Sequence, residues 1–356
     1  MARTFIDVIY PKDLGTISLR GDTPPLSWEQ SLAPTRMVRD ALGDHHWFEI
    51  DVEPGELIEW KPMRDETMWS GQRNYTMLAG ETLRVSPYFQ RATGALDGGG
   101  LSLFSRELDF DVHYRVFLPP SYEEHRTKHY PVLYAHDAQA LFAAAPDPGD
   151  PHSWRMDEAL NELYDYGVIE ELIVVGVTTK ERRIEMLSPT PDKTYGGGGG
   201  GRYLQFLVDT LKPHVDRTYR TRADAESTGM IGASMGGLFT FYAAWMRGDV
   251  FGRAACMSAS FWWNNRRAIH RVQESCPVPR PWLYLDSGAA LSQFEQDANV
   301  RDGFQHTQAM AKALGTNCYE PGVNLITLAY AGFQHDASAW AARLAIPLQL
   351  LFPRRG

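Results

Sequence analysis

The sequence predicts an α/β fold, a mostly parallel central sheet with helices on both faces, preceded by a small all-β sandwich. Three observations carry this. Residues 1–92 contain only short alternating runs parted by Pro, Gly and Asp turns. Beyond residue 105, short and nearly continuous apolar runs alternate with helix-like stretches, as strands covered on both faces do. The chain of 356 residues is also longer than one hydrophobic core usually supports, so two domains are expected.

In the first domain "GTISLRG", "WFEIDV", "LIEWKPM" and "ETLRVSPYF" read as strands. "DVEPGELIEW" reads as strand, Pro-Gly turn and strand, a hairpin. "RATGALDGGG", residues 91–100, is a Gly-rich junction, which makes 93–104 the expected linker. The second domain, 105–356, opens with the strand "VHYRVFLPPSY", stopped by a Pro pair, and continues with "YPVLYAHD" and "LIVVGVTT". "RMDEALNELYDYG" between them reads as a helix. "RYLQFLVDTLKPHVD" sets Tyr203, Phe206, Leu207 and Leu211 on one helical face. Further strands are expected at "STGMIGA", "RAACMSA", "PWLYLD" and "LITLAY". The glycine run Gly196 to Gly201 lacks the lysine of a phosphate-binding loop and reads as a flexible linker or mobile lip.

Composition is ordinary for a globular protein, 44% hydrophobic and 22% charged. A net charge of -9 with no Lys/Arg run argues against a nucleic-acid partner. The start, "MARTFIDVIYPKDLG", lacks the basic stretch and apolar core of a secretion signal. No window approaches the roughly 20 apolar residues that span a bilayer, so no membrane partner is expected. Cys256, Cys276 and Cys318 are odd in number and widely spaced, which points to neither a metal site nor a disulfide framework. Cys256, within "RAACMSAS", reads as a small core residue. A reducing, cytoplasmic setting fits these features, and the oligomeric state stays open.

The stretch that carries chemistry is "STGMIGASMGGLFTFYAAWMR", residues 227–247. An apolar strand, then G-x-S-x-G, then a helix is the arrangement of a nucleophile elbow, with Ser234 on the turn. The glycines admit a strained serine backbone, and the helix that follows aims its positive end at the place where negative charge develops in acyl transfer. Elbow enzymes place their acid and histidine later in the chain. "LITLAY" is followed by "AGFQHDASAW", so His335 lies after a sheet strand and before a helix, the place for a general base.

"VLYAHDAQALF", "RRIEMLSPT", "IGASMGGLFTFYAAW", "MSASFWW" and "GFQHDASAWAARLAIPLQLLF" together resemble the esterase D / enterochelin esterase-like family of α/β-hydrolases, from about residue 105 to the C-terminus. The resemblance implies Ser234 as nucleophile, His335 as base, and the N–H of Met235 in the oxyanion hole, with a second N–H from Asp137 or Ala138. The acid departs from the family pattern: Leu291 stands where many members carry Asp or Glu. Asp286 at the end of a strand is the first candidate and Asp297 the second, with Glu295 and Asp302 also open. Trp262 and Trp263 follow a strand end, where ligands of open α/β sheets bind; they read equally as a stacking surface or as core. Arg183 resembles a cleft arginine of the siderophore-esterase branch and could hold an anionic or phenolic group, or lie free on the surface.

"GDTPPLSWEQ", "HHWFEIDVEPGELIEWKPMRD" and "WSGQRNYTMLAG" are similar to family-20 starch-binding modules. That likeness implies Trp47 and Trp69 as sugar-stacking residues; the alternative is a sandwich that packs on the hydrolase and shapes its cleft. The expected protein is a serine carboxylic-ester hydrolase without cofactor or metal, acting on a siderophore-type or aromatic small-molecule ester. A carbohydrate ester or transfer to another acceptor, and an inert carbohydrate-binding protein, are the alternatives.

Overall fold

The computed structural model describes residues 1–143, 153–291 and 302–354. Two four-stranded sheets form the N-terminal part. In the first, β1 (Ala2–Tyr10) pairs antiparallel with β4 (Asp44–Val52), β3 (Arg36–Arg39) lies outside β4, and β8 (Thr82–Val85) runs parallel to β1. In the second, β5 (Leu57–Arg64) pairs with β2 (Ile17–Gly21), β6 (Met68–Trp69) and β7 (Tyr75–Leu78). Ile6, Val8, Phe48 and Ile50 of one sheet share a core with Leu19, Ile58 and Trp60 of the other. The Pro-Gly turn at 54–55 is therefore not a hairpin: β4 and β5 belong to different sheets. Crossing between sheets lets the buried alternate residues of both strands face a single core.

The second part is an eight-stranded sheet in the order β16-β15-β14-β13-β11-β12-β10-β9. Its parallel strands are β11 (Val132–His136), β12 (Ile173–Val177), β13 (Thr228–Ala233), β14 (Arg253–Met257), β15 (Trp282–Ala289) and β16 (Leu325–Ala331). β10 (Phe110–Leu118) is antiparallel to β12, and β9 (Ala95–Ser105) is antiparallel to β10. The expected linker is thus an edge strand. Its register against β10 shifts between Tyr114 and Val116, so the glycine run is absorbed as an irregularity within the strand.

Alternation explains the continuous apolar runs. Val132 and Tyr134 of β11, Met230 of β13 and Cys256 of β14 enter one core layer. Leu133, Ala135, Ile231 and Met257 enter the layer on the opposite face. The helices that cover these faces are α1 (Met156–Asp165), α2 (Arg183–Leu187), α3 (Gly200–Gln205), α4 (Lys212–Thr218), α5 (Met235–Met246), α6 (Trp263–Glu274), α7 (Phe304–Asn317), α8 (Ala337–Arg343) and α9 (Ala345–Leu351). Tyr203, Phe206, Leu207 and Leu211 all point into the core, through a π-helical turn between α3 and α4.

Two further expectations are corrected. Cys276 and Cys318 form a disulfide with Cα atoms 5.6 Å apart, tying the segment after α6 to the end of α7. A sequence separation of 42 hid the pair. Cys256 is free and buried. The six-glycine run is not a loose loop: Gly198 N donates to Ser188 Oγ at 2.7 Å, and Gly199 N to Glu185 O at 3.0 Å. At Gly197, with φ 78°, a Cβ would lie 2.1 Å from Ser188 Oγ, so close packing demands glycine there.

The N-terminal sheets dock at the N-terminal edge of the parallel strands. Tyr10 Oη donates to Glu124 Oε1 at 2.5 Å, Phe89 N to Glu124 Oε2 at 2.9 Å, and Arg73 Nε to Asp165 Oδ2 at 2.6 Å. These contacts lie between β10 and β11 and at the last residue of α1, at the opposite end of the sheet from the residues that follow β11, β13 and β15. Among the described residues, no helix is long and apolar enough to cross a membrane.

Candidate active site

Ser234 occupies the single residue between β13 and α5, with φ 57° and ψ -119°. That conformation is costly for a residue with a Cβ, and the surroundings enforce it. A Cβ on Gly232 would come within 2.5 Å of the Gly236 backbone, so the tight turn is available to glycine alone. The side chain is thereby lifted off the sheet, and its Oγ donates to His335 Nε2 at 2.9 Å. His335 lies in the loop between β16 and α8, with Trp340 edge-on to its ring at 5.2 Å. Asp336 caps α8 by accepting from Ala339 N at 2.8 Å, which fixes the loop that carries the histidine.

The partner of His335 Nδ1 is Asp302, a fully buried carboxylate. This overturns the order of the acid candidates. Asp286, the first, faces Arg343 instead, whose Nε donates to it at 3.1 Å, and Tyr284 Oη, which donates at 2.9 Å. Asp297 and Glu295 lie outside the described residues. Asp302 reaches the histidine from just before α7, far along the chain from the strand end where its role was sought. Its second oxygen accepts from Gly288 N at 2.7 Å and from the Ser258 hydroxyl.

Met235 is the first residue of α5, where helix geometry leaves the backbone N–H without an internal acceptor. Asp137, at φ 61°, begins the turn after β11. A Cβ on Gly236 would sit 3.6 Å from His136 Cβ and 3.7 Å from Asp137 Oδ2, so this turn flanks the first turn of α5. Ala138 is buried. The Asp137 carboxylate accepts from Thr179 Oγ1 and from Arg183 Nε at 3.0 Å. Arg183 is therefore an ion-paired strut beside the elbow rather than a free surface arginine, and its Nη2 also reaches Ala233 O at 3.4 Å. Behind this turn His136 is buried against Tyr203 and Phe239, and burial pushes its ring down to about 4.

The two tryptophans separate. Trp263 is buried and donates Nε1 to Thr190 O at 2.8 Å, a packing role; Trp262 is 39% exposed. Sequence reading missed Tyr195, whose ring lies 5.8 Å from each tryptophan and which is also exposed. This aromatic group adjoins the elbow, because Ser260 N donates to Ser234 O at 3.0 Å two residues before Trp262. In the N-terminal part, Trp47 is half-buried under Arg36 on one sheet, while Trp69 is exposed on the other. They do not form one platform. Trp69 pairs instead with Trp28, ring centroids 6.2 Å apart.

A family model described as "Putative esterase" matches residues 105–349. The chain belongs to that family. Among curated relatives, it is 25% identical over 150 residues to the siderophore triacetylfusarinine C esterase of Aspergillus fumigatus, covering 40% of this chain and 48% of that one. It is 26% identical over 206 residues to the ferri-bacillibactin esterase BesA of Bacillus subtilis, covering 51% of this chain and 68% of that one. The chain thus spans about half to two thirds of the length of these relatives. Among solved structures, the enterobactin esterase FES of Shigella flexneri aligns over 94% of this chain and 88% of that one, with a TM-score of 0.55 and 14% identity. That likeness shows the fold, an α/β-hydrolase.

Proposed function

We propose that the protein is a serine carboxylic-ester hydrolase working through an acyl-enzyme. The observation that carries this reading is the line of Ser234, His335 and Asp302 on a strained elbow. Ser234 Oγ attacks the ester carbonyl while His335 Nε2 takes its proton. Asp302 holds the ring tautomer and balances the imidazolium. The N–H groups of Met235 and of Asp137 or Ala138 receive the oxyanion. The tetrahedral intermediate collapses to the acyl-enzyme, His335 gives its proton to the leaving alcohol, and water repeats the sequence to release the acid. Every step uses groups of this chain; no metal or organic cofactor is called for.

For the substrate we favour a siderophore-type or aromatic ester. Trp262, two residues from the Ser260 that donates to Ser234 O, and Tyr195, in ring contact with Trp262, offer exposed rings beside the elbow, and the named relatives are siderophore esterases. Residues 1–92 act as a separate sandwich domain. The Trp28–Trp69 pair favours sugar binding there as a second reading; quenching of tryptophan fluorescence by maltooligosaccharides, lost in Trp69→Ala, tests it. The Cys276–Cys318 bond favours an oxidising setting over the cytoplasm expected from the cysteine count.

The deciding experiment is turnover of p-nitrophenyl acetate to octanoate, a feruloyl ester and a catechoyl-serine ester, with fluorophosphonate labelling alongside. Turnover and labelling that both vanish in Ser234→Ala are expected. Absence of both from the wild type would sink the reading.

A further inference from the structure

Behind Asp302 lies a second ionic layer that acyl transfer does not by itself require. Asp286 on β15, Arg343 on α8 and Asp302 are 0%, 2% and 1% exposed. Arg343 grips Asp286 with two donors, Nε to Oδ2 at 3.1 Å and Nη2 to Oδ1 at 3.2 Å, the geometry of an ionised pair. The same Nη2 lies 3.4 Å from Asp302 Oδ2. Ser258 ties the layer together: its N–H donates to Asp286 Oδ1 at 3.1 Å, and its hydroxyl donates to Asp302. That hydroxyl also accepts from Trp340 Nε1 at 3.0 Å and from Arg343 Nη2 at 2.5 Å.

Charges in this layer have few places to go. Two carboxylates and one guanidinium leave one net negative charge, sealed from water. When His335 holds the Ser234 proton, that charge is cancelled. We propose that Asp286 and Arg343 are positioning residues that set the net charge behind His335, so that the buried layer is neutral only while the imidazolium exists. This rests on the serine-hydrolase reading above. It also gives the buried Asp286, which touches neither Ser234 nor His335, a reason to be there: without it Arg343 would cancel Asp302, and the histidine would lose its counter-charge.

The groups facing these carboxylates are few. Asp286 meets Arg343 from α8, Tyr284 on its own strand, Tyr330 from β16 and Cys256 from β14. His335 meets Asp302, Ser234 and the Trp340 ring. Burial pushes the Asp286 carboxyl upward, and Arg343 is the largest opposing influence. A unit charge added or removed several ångströms away, at an effective dielectric of about 20, moves a titration by roughly one to two units.

Three variants give three charge states. Asp286→Asn leaves the layer neutral at rest, Arg343→Gln leaves it doubly negative, and the double variant restores one negative charge. The measurement is the pH dependence of kcat/KM on p-nitrophenyl acetate, with titration of the His335 ring by NMR in the same proteins. The acidic limb should move down by roughly one unit in Asp286→Asn, up in Arg343→Gln, and return to the wild-type position in the double variant. The change should fall on kcat and leave KM in place. Should Arg343→Gln fail to fold, Asp286→Asn and the double variant alone decide. Limbs that coincide in all variants, with activity falling only as melting temperature falls, would overturn the proposal. The ring titration separates the two readings. The expected order without any ester turnover would leave the charge setting standing and remove the esterase. Turnover with an unmoved ring would do the reverse.

Discussion

Both edges of the parallel sheet bury charge, yet only the C-terminal one carries the proposed chemistry. At the N-terminal edge, where the sandwich docks, Glu171 accepts from Ser121 N at 3.0 Å, Ser121 Oγ at 2.6 Å and Lys128 Nζ at 2.5 Å. His125 Nε2 donates to Pro87 O at 2.7 Å nearby. At the C-terminal edge, Asp286, Asp302 and Arg343 form a comparable network. The backbone makes the difference. Asp137, Ser234, Ser258 and Asp302 at the C-terminal edge have φ of 61°, 57°, 43° and 43°, whereas no non-glycine residue of segments 119–131 or 165–171 has positive φ. The reactive edge also leaves one member of its network, His335, with a third of its side chain exposed. Buried charge alone marks structure. Strain, together with an accessible base, marks chemistry.

The largest effect expected from this contrast is on Asp302. Replacing it by Asn keeps the shape but presents the wrong donor to His335 Nδ1, and kcat should drop about 10⁴-fold. Burst kinetics and fluorophosphonate labelling rates would read this directly. A drop below tenfold would mean that another carboxylate, such as Asp297, serves His335 in solution.

How much of this was legible beforehand follows the same division. Ser234 and His335 announce themselves because each stands at a fixed place relative to a strand and a helix, and the local pattern specifies both elements. Asp302 does not. It is positioned by Ser258, Gly288 and Arg343, partners brought from three other places in the chain, and nothing in its own neighbours distinguishes it from Asp297. The strands of the sandwich were readable from alternation, but their pairing was not. Alternation states which face is buried and leaves open which sheet a strand joins, so β4 and β5 looked like a hairpin. The glycine-rich stretches failed for a related reason. Glycine permits looseness in isolation and close packing in context, and only Ser188, Glu185 and the β10 register decide between them.

Next in size is the disulfide, whose two cysteines follow α6 and α7 and precede the starts of β15 and β16, away from the elbow. Converting Cys276 and Cys318 to serine frees a long loop of the unfolded chain and should lower stability by roughly 3–4 kcal/mol. Ester turnover at low temperature should stay within about twofold, since the pair lies outside the line from Ser234 to Asp302. Chemical denaturation of both proteins tests this. Equal midpoints would show that the bond is not formed in solution.

At the N-terminal edge, Glu171→Gln should cost about 2–3 kcal/mol of stability and leave kcat/KM unchanged, the reverse of Asp302→Asn. Its pH signature has a definite sign. Burial alone would raise the Glu171 carboxyl, but Lys128 and Ser121 outweigh it and hold the group below its ordinary 4.5. Its contribution is therefore present above the unfolded value and lost as pH falls through the lower folded one. Burial and then Lys128 push His125 down to about 4 from 6.5. The unfolded chain takes up that proton first, so stability falls from pH 6.5 towards 4 in wild type and variant alike. The variant should differ by a smaller further loss below about pH 4.5. Melting temperatures across that range separate the two groups.

The smallest expected change in stability is the most telling about the contrast. Ser234 is held at φ 57° and ψ -119°, a region glycine enters freely and serine does not. Ser234→Gly should therefore abolish turnover while raising stability by about 1 kcal/mol, since strain of this kind costs roughly 1–3 kcal/mol and the added chain entropy of glycine returns part of it. A stabilised but dead variant here, set against a destabilised but fully active Glu171→Gln, would show that the two edges divide the labour of folding and reacting. If Ser234→Gly were instead less stable than wild type, the bonds of Ser234 Oγ to His335 and Ser260 would outweigh the strain. The elbow would then be held by its own side chain, and the nucleophile would be part of what keeps the fold together.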